Sequence, residues 1–477
     1  MPLGLPHRHV AEAFSPNKHA RASVGAHRVF LECTSTHASR YNTGIQRAVR
    51  NLVRASIDID GPWTCVPVIY NGRYLEPIRA LTELYDGPEQ AGPKASVVDR
   101  LRRSFHLARH AVTRAIPSTK LRQALHSQRV EYGLRQIVYS AQNAKRWVRS
   151  FRTEAGPCAD FQRGDTLVLL DSTWNVDITK ELRRARAAGA NVWVVVNDLI
   201  PIEYPDLAPE GTPILLDKWL QRTVRHASGL LGISRTVADG LRTHLSRISP
   251  VRTALSAALP IDHFYLGAGL GPLIAGKHAL DAMTESLGRE TGSVYVVVGT
   301  IEPRKNHSRI LDAFDDLWAS GASVNLLIFG RLGWRSEDLA RRIRAHAQFG
   351  RRLVWFESGT DAELDYAYRH ASALIFASEC EGFGLPLVEA MQYGLPVLAS
   401  DIAVFREIGG DYPRFFDLGD ANGLRDAIRL FESVAAGTGP DSVTRVPRRW
   451  LSWEDSARML LEKVSVGAGN PQTDGKL

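Results

Sequence analysis

The feature that most constrains this chain is a rhythm of short, β-branched runs separated by amphipathic stretches, repeated in two series. Residues 1–27 have no apolar periodicity and read as a loose tail. Then Val29-Phe30-Leu31-Glu32-Cys33 forms a strand-like run, a polar turn passes through Tyr41 to Gly44, and a helix-like run follows from Ile45 to Ala55. Further runs at Trp63 to Tyr70, Thr166 to Leu170, Val192 to Val196 and Gly229 to Ile233 complete the first series. The rhythm lapses between about Leu245 and Gly292, where Pro250, Pro260, Pro272 and several glycines fall. It restarts at Val294 to Gly299 and recurs at Val324 to Gly330, Leu353 to Phe356, Ala373 to Ala377, Pro396 to Ala399 and Phe415 to Asp417. Alternation of this kind builds parallel sheets covered by helices. The expectation is an α/β protein of two doubly wound, Rossmann-like domains, 28–270 and 271–450, facing each other across a cleft that holds the ligands. A C-terminal helix and tail occupy 451–477, and the sequence does not say on which domain the helix, about Ser452 to Val464, packs.

Charge sets one segment apart. The formal net charge is +8, yet fourteen of the 59 Lys and Arg and only two of the 51 Asp and Glu fall between Pro93 and Arg152, which leaves the rest of the chain slightly acidic. Within this segment Leu134, Ile137, Val138, Ala141, Val148 and Phe151 share one helical face, with Arg135, Lys145, Arg146, Arg149 and Arg152 over much of the remainder. The pattern suits either an interfacial helix docking on an anionic membrane through 92–152, or an inserted helical pair packed on the first domain with its arginines in water. No nucleic-acid reader motif accompanies the basic residues, so nucleic acid is not an expected partner. No stretch approaches the ~18 consecutive apolar residues of a membrane span. Cys33, Cys65, Cys158 and Cys380 lie far apart without CxxC spacing, which argues against structural zinc or a disulfide framework and fits a reducing cytoplasm.

The chemistry gathers at strand ends. Glu381-Gly382-Phe383-Gly384-Leu385-Pro386-Leu387-Val388-Glu389 follows the strand Ala373 to Ala377: its glycines admit a ligand close to the backbone, and Pro386 suits the first turn of a helix. A strand, a glycine turn and a helix start make an anion-binding corner, with Gly382, Phe383, Gly384 and Leu385 as donor-binding backbone. Glu381 in the turn and Glu389 two helical turns on could bond sugar hydroxyls and ribose; a helix cap with a solvated glutamate is the plain alternative. Gly299-Thr300-Ile301-Glu302-Pro303-Arg304-Lys305-Asn306 ends another strand, and Arg304 with Lys305 suits a departing diphosphate, in a turn that Pro303 and Asn306 fix. In the first domain, Thr43-Gly44-Ile45-Gln46-Arg47 opens a helix where a donor could lie against Gly44, and Asn197-Asp198 is presented at a strand end. Helix capping and an Asx turn explain these two equally well.

Together these residues resemble glycosyltransferase family 4, retaining enzymes with the two-domain GT-B fold. Glu381 and Glu389 match its pair of glutamates seven residues apart, and Arg304 with Lys305 match its phosphate-binding pair. The runs from Gly299 to Asn306, from Phe329-Gly330-Arg331 to Trp334, and from Ser400 to Glu407 resemble bacterial mannosyltransferases that build O-antigen and other surface polysaccharides. The resemblance runs from about Val29 to Val464, strongest in the second domain, without a counterpart for 92–152. It implies transfer of a sugar, mannose from GDP-mannose before GDP- or dTDP-linked deoxysugars, to a glycan or lipid-linked glycan. It also implies donor contacts at Gly330 and Asn197, Glu381, Arg304, Lys305 and Asp198 in catalysis, and neither a cofactor nor a metal beyond the nucleotide-sugar substrate. Many members carry His where this chain has Asn197; Asn cannot titrate, which leaves Asp198 as the ionisable group there.

Other readings are weaker. The glycines of Gly267-Ala268-Gly269-Leu270-Gly271-Pro272 put Pro where a dinucleotide fingerprint needs its third glycine, and they follow no clean strand. Asp58-Ile59-Asp60 spells an acidic pair of the kind metal-dependent sugar transferases use, but its place before Gly61-Pro62 makes it a solvated turn. A glycan- or nucleotide-sugar-binding protein without activity shares the fold, and joint retention of Glu381, Glu389, Arg304 and Lys305 argues against that decay.

Overall fold

The computed structural model describes residues 26–39, 44–79, 81, 132–133, 157–247, 259–270, 292–435 and 447–465. A 7-stranded sheet contains β1 (His27–Glu32), β2 (Trp63–Tyr70), β3 (Leu75–Pro77), β4 (Thr166–Leu169), β5 (Asn191–Val196), β6 (Gly229–Gly232) and β7 (Ile261–His263), in the order β3-β2-β1-β4-β5-β6-β7. A 6-stranded sheet contains β8 (Ser293–Val298), β9 (Val324–Phe329), β10 (Leu353–Phe356), β11 (Ala373–Phe376), β12 (Val397–Ser400) and β13 (Arg414–Phe416), in the order β10-β9-β8-β11-β12-β13. Among these strands the pairings are parallel except β2 with β3. The all-apolar runs follow from this arrangement: helices cover both faces, so all of β9 and β11 is buried.

Both sheets are doubly wound. The first runs outward from β1 to β3 and restarts at β4 on the other side of β1; the second runs from β8 to β10 and restarts at β11 beside β8. Chain direction therefore switches between β1 and β4 and between β8 and β11, and ligands of such sheets bind outside the carboxyl ends at those points.

The helices that position the site are α1 (Thr34–Ala38), α2 (Gly44–Asp58), α3 (Arg235–Arg247), α4 (Asp361–His370), α5 (Leu385–Gln392), α6 (Ala403–Gly409) and α7 (Trp453–Ser465). The α2 helix buries Ala48, Val49, Leu52 and Val53 along one stripe. Thr360 and Glu363 start α4 with a reciprocal capping box.

Three features differ from the sequence reading. β1 begins at His27, inside the expected tail. The stretch read as a junction contains β7, a three-residue edge strand pairing with β6. The last helix, α7, returns to the first half: Lys463 pairs with Asp262 at 2.5 Å, Ser456 Oγ donates to Tyr265 O at 2.6 Å, and Trp63 Nε1 donates to Ser465 Oγ at 2.8 Å. That return explains a glycine of the broken fingerprint, because a Cβ on Gly267 would lie 2.6 Å from the backbone of Ser452 and Trp453. Apart from residues 132–133, the basic segment 92–152 lies outside the described residues, as do residues 1–25 of the tail.

Candidate active site

The second switch point gathers the cationic pair and the acid of the glycine turn. Beyond β8, Pro303–Lys305 forms one 3₁₀ turn that ends on Asn306 at φ 56°, in the left-handed region that Asn tolerates. Asn306 Nδ2 donates to Ala377 O at 2.9 Å, and Glu379 N donates to Arg304 O at 2.8 Å, so the loops after β8 and β11 are tied together. Arg304 Nη1 then reaches Glu381 Oε2 at 2.8 Å, Lys305 Nζ bonds Glu381 Oε1, and Ser378 Oγ donates to the same oxygen at 2.8 Å. Arg304 Nη2 also pairs with Glu302 at 2.6 Å. Burial works against the charge of Glu381, but Arg304 and then Lys305 outweigh it and hold its carboxyl down to about 2. Burial pulls the Lys305 ammonium below its ordinary range despite Glu381. Arg304 resists the same penalty because Glu381, Glu302 and Asp198 surround it, and its pKa rises. Two desolvated cations at a strand end can take up a diphosphate's charge.

Glycines bring the halves into contact here. A Cβ on Gly382 would sit 2.1 Å from Asn197 O, and Ser234 Oγ donates to Gly382 O at 2.8 Å across the same seam. Asn197 and Asp198, at the end of β5, thus lie directly against the glycine turn. Asp198 is partly buried, which pushes its carboxyl up, with Arg304 and the 3.2 Å bond from Ile200 N opposing. Gly384, at φ 101°, caps α5 and fits between Phe376 and Phe405. The Phe383 ring is buried beside Tyr265 and Trp450, and Leu385 is buried, so both side chains face the core and neither is presented to a ligand. Gly330 packs on the Gly299 carbonyl, 1.9 Å from where a Cβ would stand. Gly44 opens α2 exposed, and among the described residues no atom crowds it.

Glu389 does not face an open cleft. It is 2% exposed: Arg47 Nη1 donates to Oε1 at 2.9 Å from the other half of the molecule, and Tyr368 Oη donates to Oε2 at 2.8 Å. Arg47, Ser234 and Glu407 are seam residues that the sequence reading did not single out as functional. The Glu407 carboxylate, from α6, accepts from Arg235 N at 2.6 Å, Thr236 N at 2.8 Å and Thr236 Oγ1 at 2.5 Å, capping α3 of the first half. A cation or acid one turn into a helix is the only local sign of such residues, and it does not reveal the partner.

A cavity of about 400 Å³ opens beside Asp198 and Arg304, walled by Trp174, Trp219 and Trp334 and reaching Asp171 and Asn197. Its floor is the first switch point. Asp171 accepts from Thr36 N at the start of α1 and from Ser172 N at 2.7 Å. Behind it Glu32 is fully buried, and burial followed by Asp171 raises its carboxyl to about 8. This acid pair was also missed, because Glu32 ends and Asp171 closely follows a strand that reads only as core.

Comparison with known proteins fits this geometry. The family described as glycosyl transferases group 1 matches residues 281–434, the segment that carries Arg304, Lys305, Glu381 and Glu389. The serotype-specific mannosyltransferase WbdA of Escherichia coli is 32% identical over 314 residues, 64% of this chain and 38% of WbdA. The O-antigen chain mannosyltransferase RfbU of Salmonella typhimurium is 25% identical over 257 residues, 54% of this chain and 63% of RfbU. The chain therefore spans well under half the length of its WbdA relatives. The catalytic domain of starch synthase IV from Arabidopsis thaliana, solved with ADP and acarbose, superposes with a TM-score of 0.54 over 93% of this chain and 99% of that one at 13% identity, a likeness of fold. Two doubly wound sheets give the chain the GT-B fold of these glycosyltransferase structures, and its residues 281–434, which carry the Arg304–Lys305–Glu381 cluster, match the group 1 glycosyl transferases.

Proposed function

We propose that this chain transfers a mannosyl residue, with retention of configuration, from GDP-mannose to a hydroxyl of a glycan or lipid-linked glycan in bacterial surface-polysaccharide synthesis of the O-antigen kind. The observation that carries the reading is the convergence of Arg304 and Lys305 on Glu381 at the second switch point, where the chain also resembles mannosyltransferases.

In this reading the donor diphosphate displaces part of the Glu381 contact and lies on Arg304, Lys305 and the N–H groups of Gly382 to Gly384, while Glu381 turns to a sugar hydroxyl. As the anomeric C–O bond to phosphate breaks through an oxocarbenium-like state, the two cations neutralise the leaving group. The acceptor oxygen attacks the same face, and its proton passes to the departing phosphate oxygen, so no side chain must gain a net proton. The acceptor sits in the cavity beside Asp198, its ring against the tryptophan walls. Asn197 bonds a donor hydroxyl, and Asp198, with its raised carboxyl, orients the group that reacts. The cationic side chains supply the charge that a divalent ion would otherwise bring, so a metal is not required. The reaction belongs on the cytoplasmic side of the membrane, where nucleotide sugars are made, with 92–152 as the segment that docks the protein there.

The test is a panel of nucleotide sugars offered to the purified protein, read by released nucleoside diphosphate and by donor-dependent thermal shift. GDP-mannose is expected to give both; a different preferred donor redirects the specificity, and silence from the whole panel removes the transferase reading.

A further inference from the structure

The cavity beside Asp198 has one aromatic wall that the first half does not provide. Trp174 and Trp219 come from the first half, and Trp219 is buried and fixed by its Nε1 donating to Thr173 Oγ1 at 3.0 Å. Trp334 comes from the second half, in the turn after β9, and is only half-buried. That turn is fastened on two sides. Toward the phosphate loop, Leu332 bridges Ile301, Ile301 N donates to Arg331 O at 2.9 Å, and Gly333 N donates to Ile301 O at 2.8 Å. A Cβ on Gly333 would lie 2.6 Å from that same carbonyl. Toward the first half, Arg335 Nη2 pairs with Glu210 Oε1 at 2.8 Å, just before the helix Thr212–Thr223 that carries Trp219. The Arg335 guanidinium also lies over the Trp334 ring, 5.2 Å from its centre, and its backbone is left-handed at φ 49°.

We propose that the Trp334–Arg335 turn is a specificity element for the acceptor: Trp334 packs on the face of an uncharged sugar ring, and the bridge from Arg335 to Glu210 sets where that face stands. Arg335 is then a positioning residue. The proposal rests on the transferase reading above, which places the acceptor in this cavity.

The physical case has three parts. Among the described residues lining the cavity, Asp171, Asp198 and Glu302 are acids that accept from hydroxyls, and the one cation, Arg304, is already paired with Glu302 and Glu381. Aromatic faces with hydroxyl acceptors suit a neutral ring, whereas a phosphate or carboxylate would meet three acids. Next, an ion pair as exposed as Arg335 with Glu210 adds little to stability, while left-handed backbone at a residue other than glycine costs some. Strain of this kind persists where the surroundings hold a group in place, which the bridge and the stacked guanidinium do for Trp334. Finally, the turn is bonded to the run that carries Arg304, so a ring seated on Trp334 is held in register with the leaving group.

The experiment compares wild type with Trp334→Ala, Trp334→Tyr, Arg335→Gly and Arg335→Lys. Octyl glycosides of the common hexoses serve as acceptor probes. The readouts are KM for acceptor and donor, kcat, the urea midpoint, and calorimetric binding of GDP, UDP and dTDP. Trp334→Ala is expected to raise the acceptor KM about tenfold or more with nucleoside diphosphate affinity unchanged, and Trp334→Tyr to recover much of the loss. Arg335→Gly relieves the strain and loses the bridge, so the urea midpoint should change little while the acceptor KM rises roughly threefold to tenfold. Arg335→Lys, which keeps the charge, should restore part of that rise. An acceptor KM unchanged in Trp334→Ala, or a lower midpoint with unchanged acceptor KM in Arg335→Gly, overturns the proposal. Weaker nucleoside diphosphate binding in Trp334→Ala assigns the ring to the donor and overturns it as well. So does a wild type that binds a nucleoside diphosphate and hydrolyses a donor yet neither binds nor glycosylates any of these probes. If wild type binds no nucleoside diphosphate, the transferase reading fails first and this proposal falls with it.

Discussion

Replacing Glu381 with Gln should push stability, binding and turnover in different directions. The carboxylate is clasped by Arg304, Lys305 and Ser378, and those partners hold it near 2 against an ordinary 4.5. At about 1.4 kcal/mol per pH unit, that depression corresponds to roughly 3 kcal/mol of stability at neutral pH. A carboxyl whose pKa falls on folding stabilises above its unfolded value, and the contribution disappears as pH drops from 4.5 toward 2. Glu381→Gln should therefore lower the urea midpoint clearly at pH 7 and little near pH 2.5. The same change leaves Arg304 and Lys305 facing each other without the counter-charge they share. Removing one unit charge several ångström from an incoming phosphate is worth on the order of 1–3 kcal/mol at an effective dielectric of ~20, so pyrophosphate and nucleoside diphosphates should bind at least about tenfold more tightly. Transfer should nonetheless fall at least ~100-fold, because an amide cannot replace the carboxylate as acceptor for a sugar hydroxyl. Calorimetry with inorganic pyrophosphate, denaturation at two pH values and donor turnover read all three effects. Near-wild-type turnover, or diphosphate binding that weakens with the mutation, would refute the assignment of this cluster as the leaving-group site.

Lys305→Ala should cut transfer at least ~100-fold with the fold intact, and activity should survive EDTA; loss on chelation with rescue by Mn²⁺ or Mg²⁺ would bring Asp58 and Asp60 back as metal ligands. Asn197→Ala should weaken transfer modestly and leave the pH profile unchanged, and the disappearance of a titrating limb would contradict its hydroxyl-holding role. Binding to phosphatidylglycerol vesicles should be strong at low salt, fall as salt rises and be lost when Arg146, Arg149 and Arg152 become Glu, with donor hydrolysis in solution unchanged; binding that ignores lipid charge would make 92–152 an inserted helical element instead.

The fold was legible wherever burial on both faces forces an apolar run, as in Val324–Phe329, and wherever a run is long enough to show it. β7 escaped notice because three residues, Ile261-Asp262-His263, carry no period among prolines and glycines. The nearness of Arg304 and Lys305 to Glu381 was legible because they sit on two local strand-end motifs that parallel winding must bring side by side. What the sequence concealed is the seam. Arg47 meets a residue 342 positions away, and Glu407 caps a helix 171 positions back, through single side chains that change no local pattern. The glycine at 382 reads as a ligand's clearance from sequence, yet in the structure it also admits the carbonyl of Asn197. The return of α7 to the first half is likewise a matter of tertiary packing, set by Tyr265, Leu266 and Gly267 receiving Trp450 to Ser456.

The central claim is retaining transfer from a nucleotide sugar, and the anomeric configuration of the product tests it most directly. With GDP-mannose and a mannosylated lipid or oligosaccharide acceptor, the product resolved by NMR should keep the donor's α configuration, with one GDP released per bond formed. An inverted linkage, or GDP release that never yields a glycoside with any acceptor while Arg304 and Lys305 are intact, would contradict it.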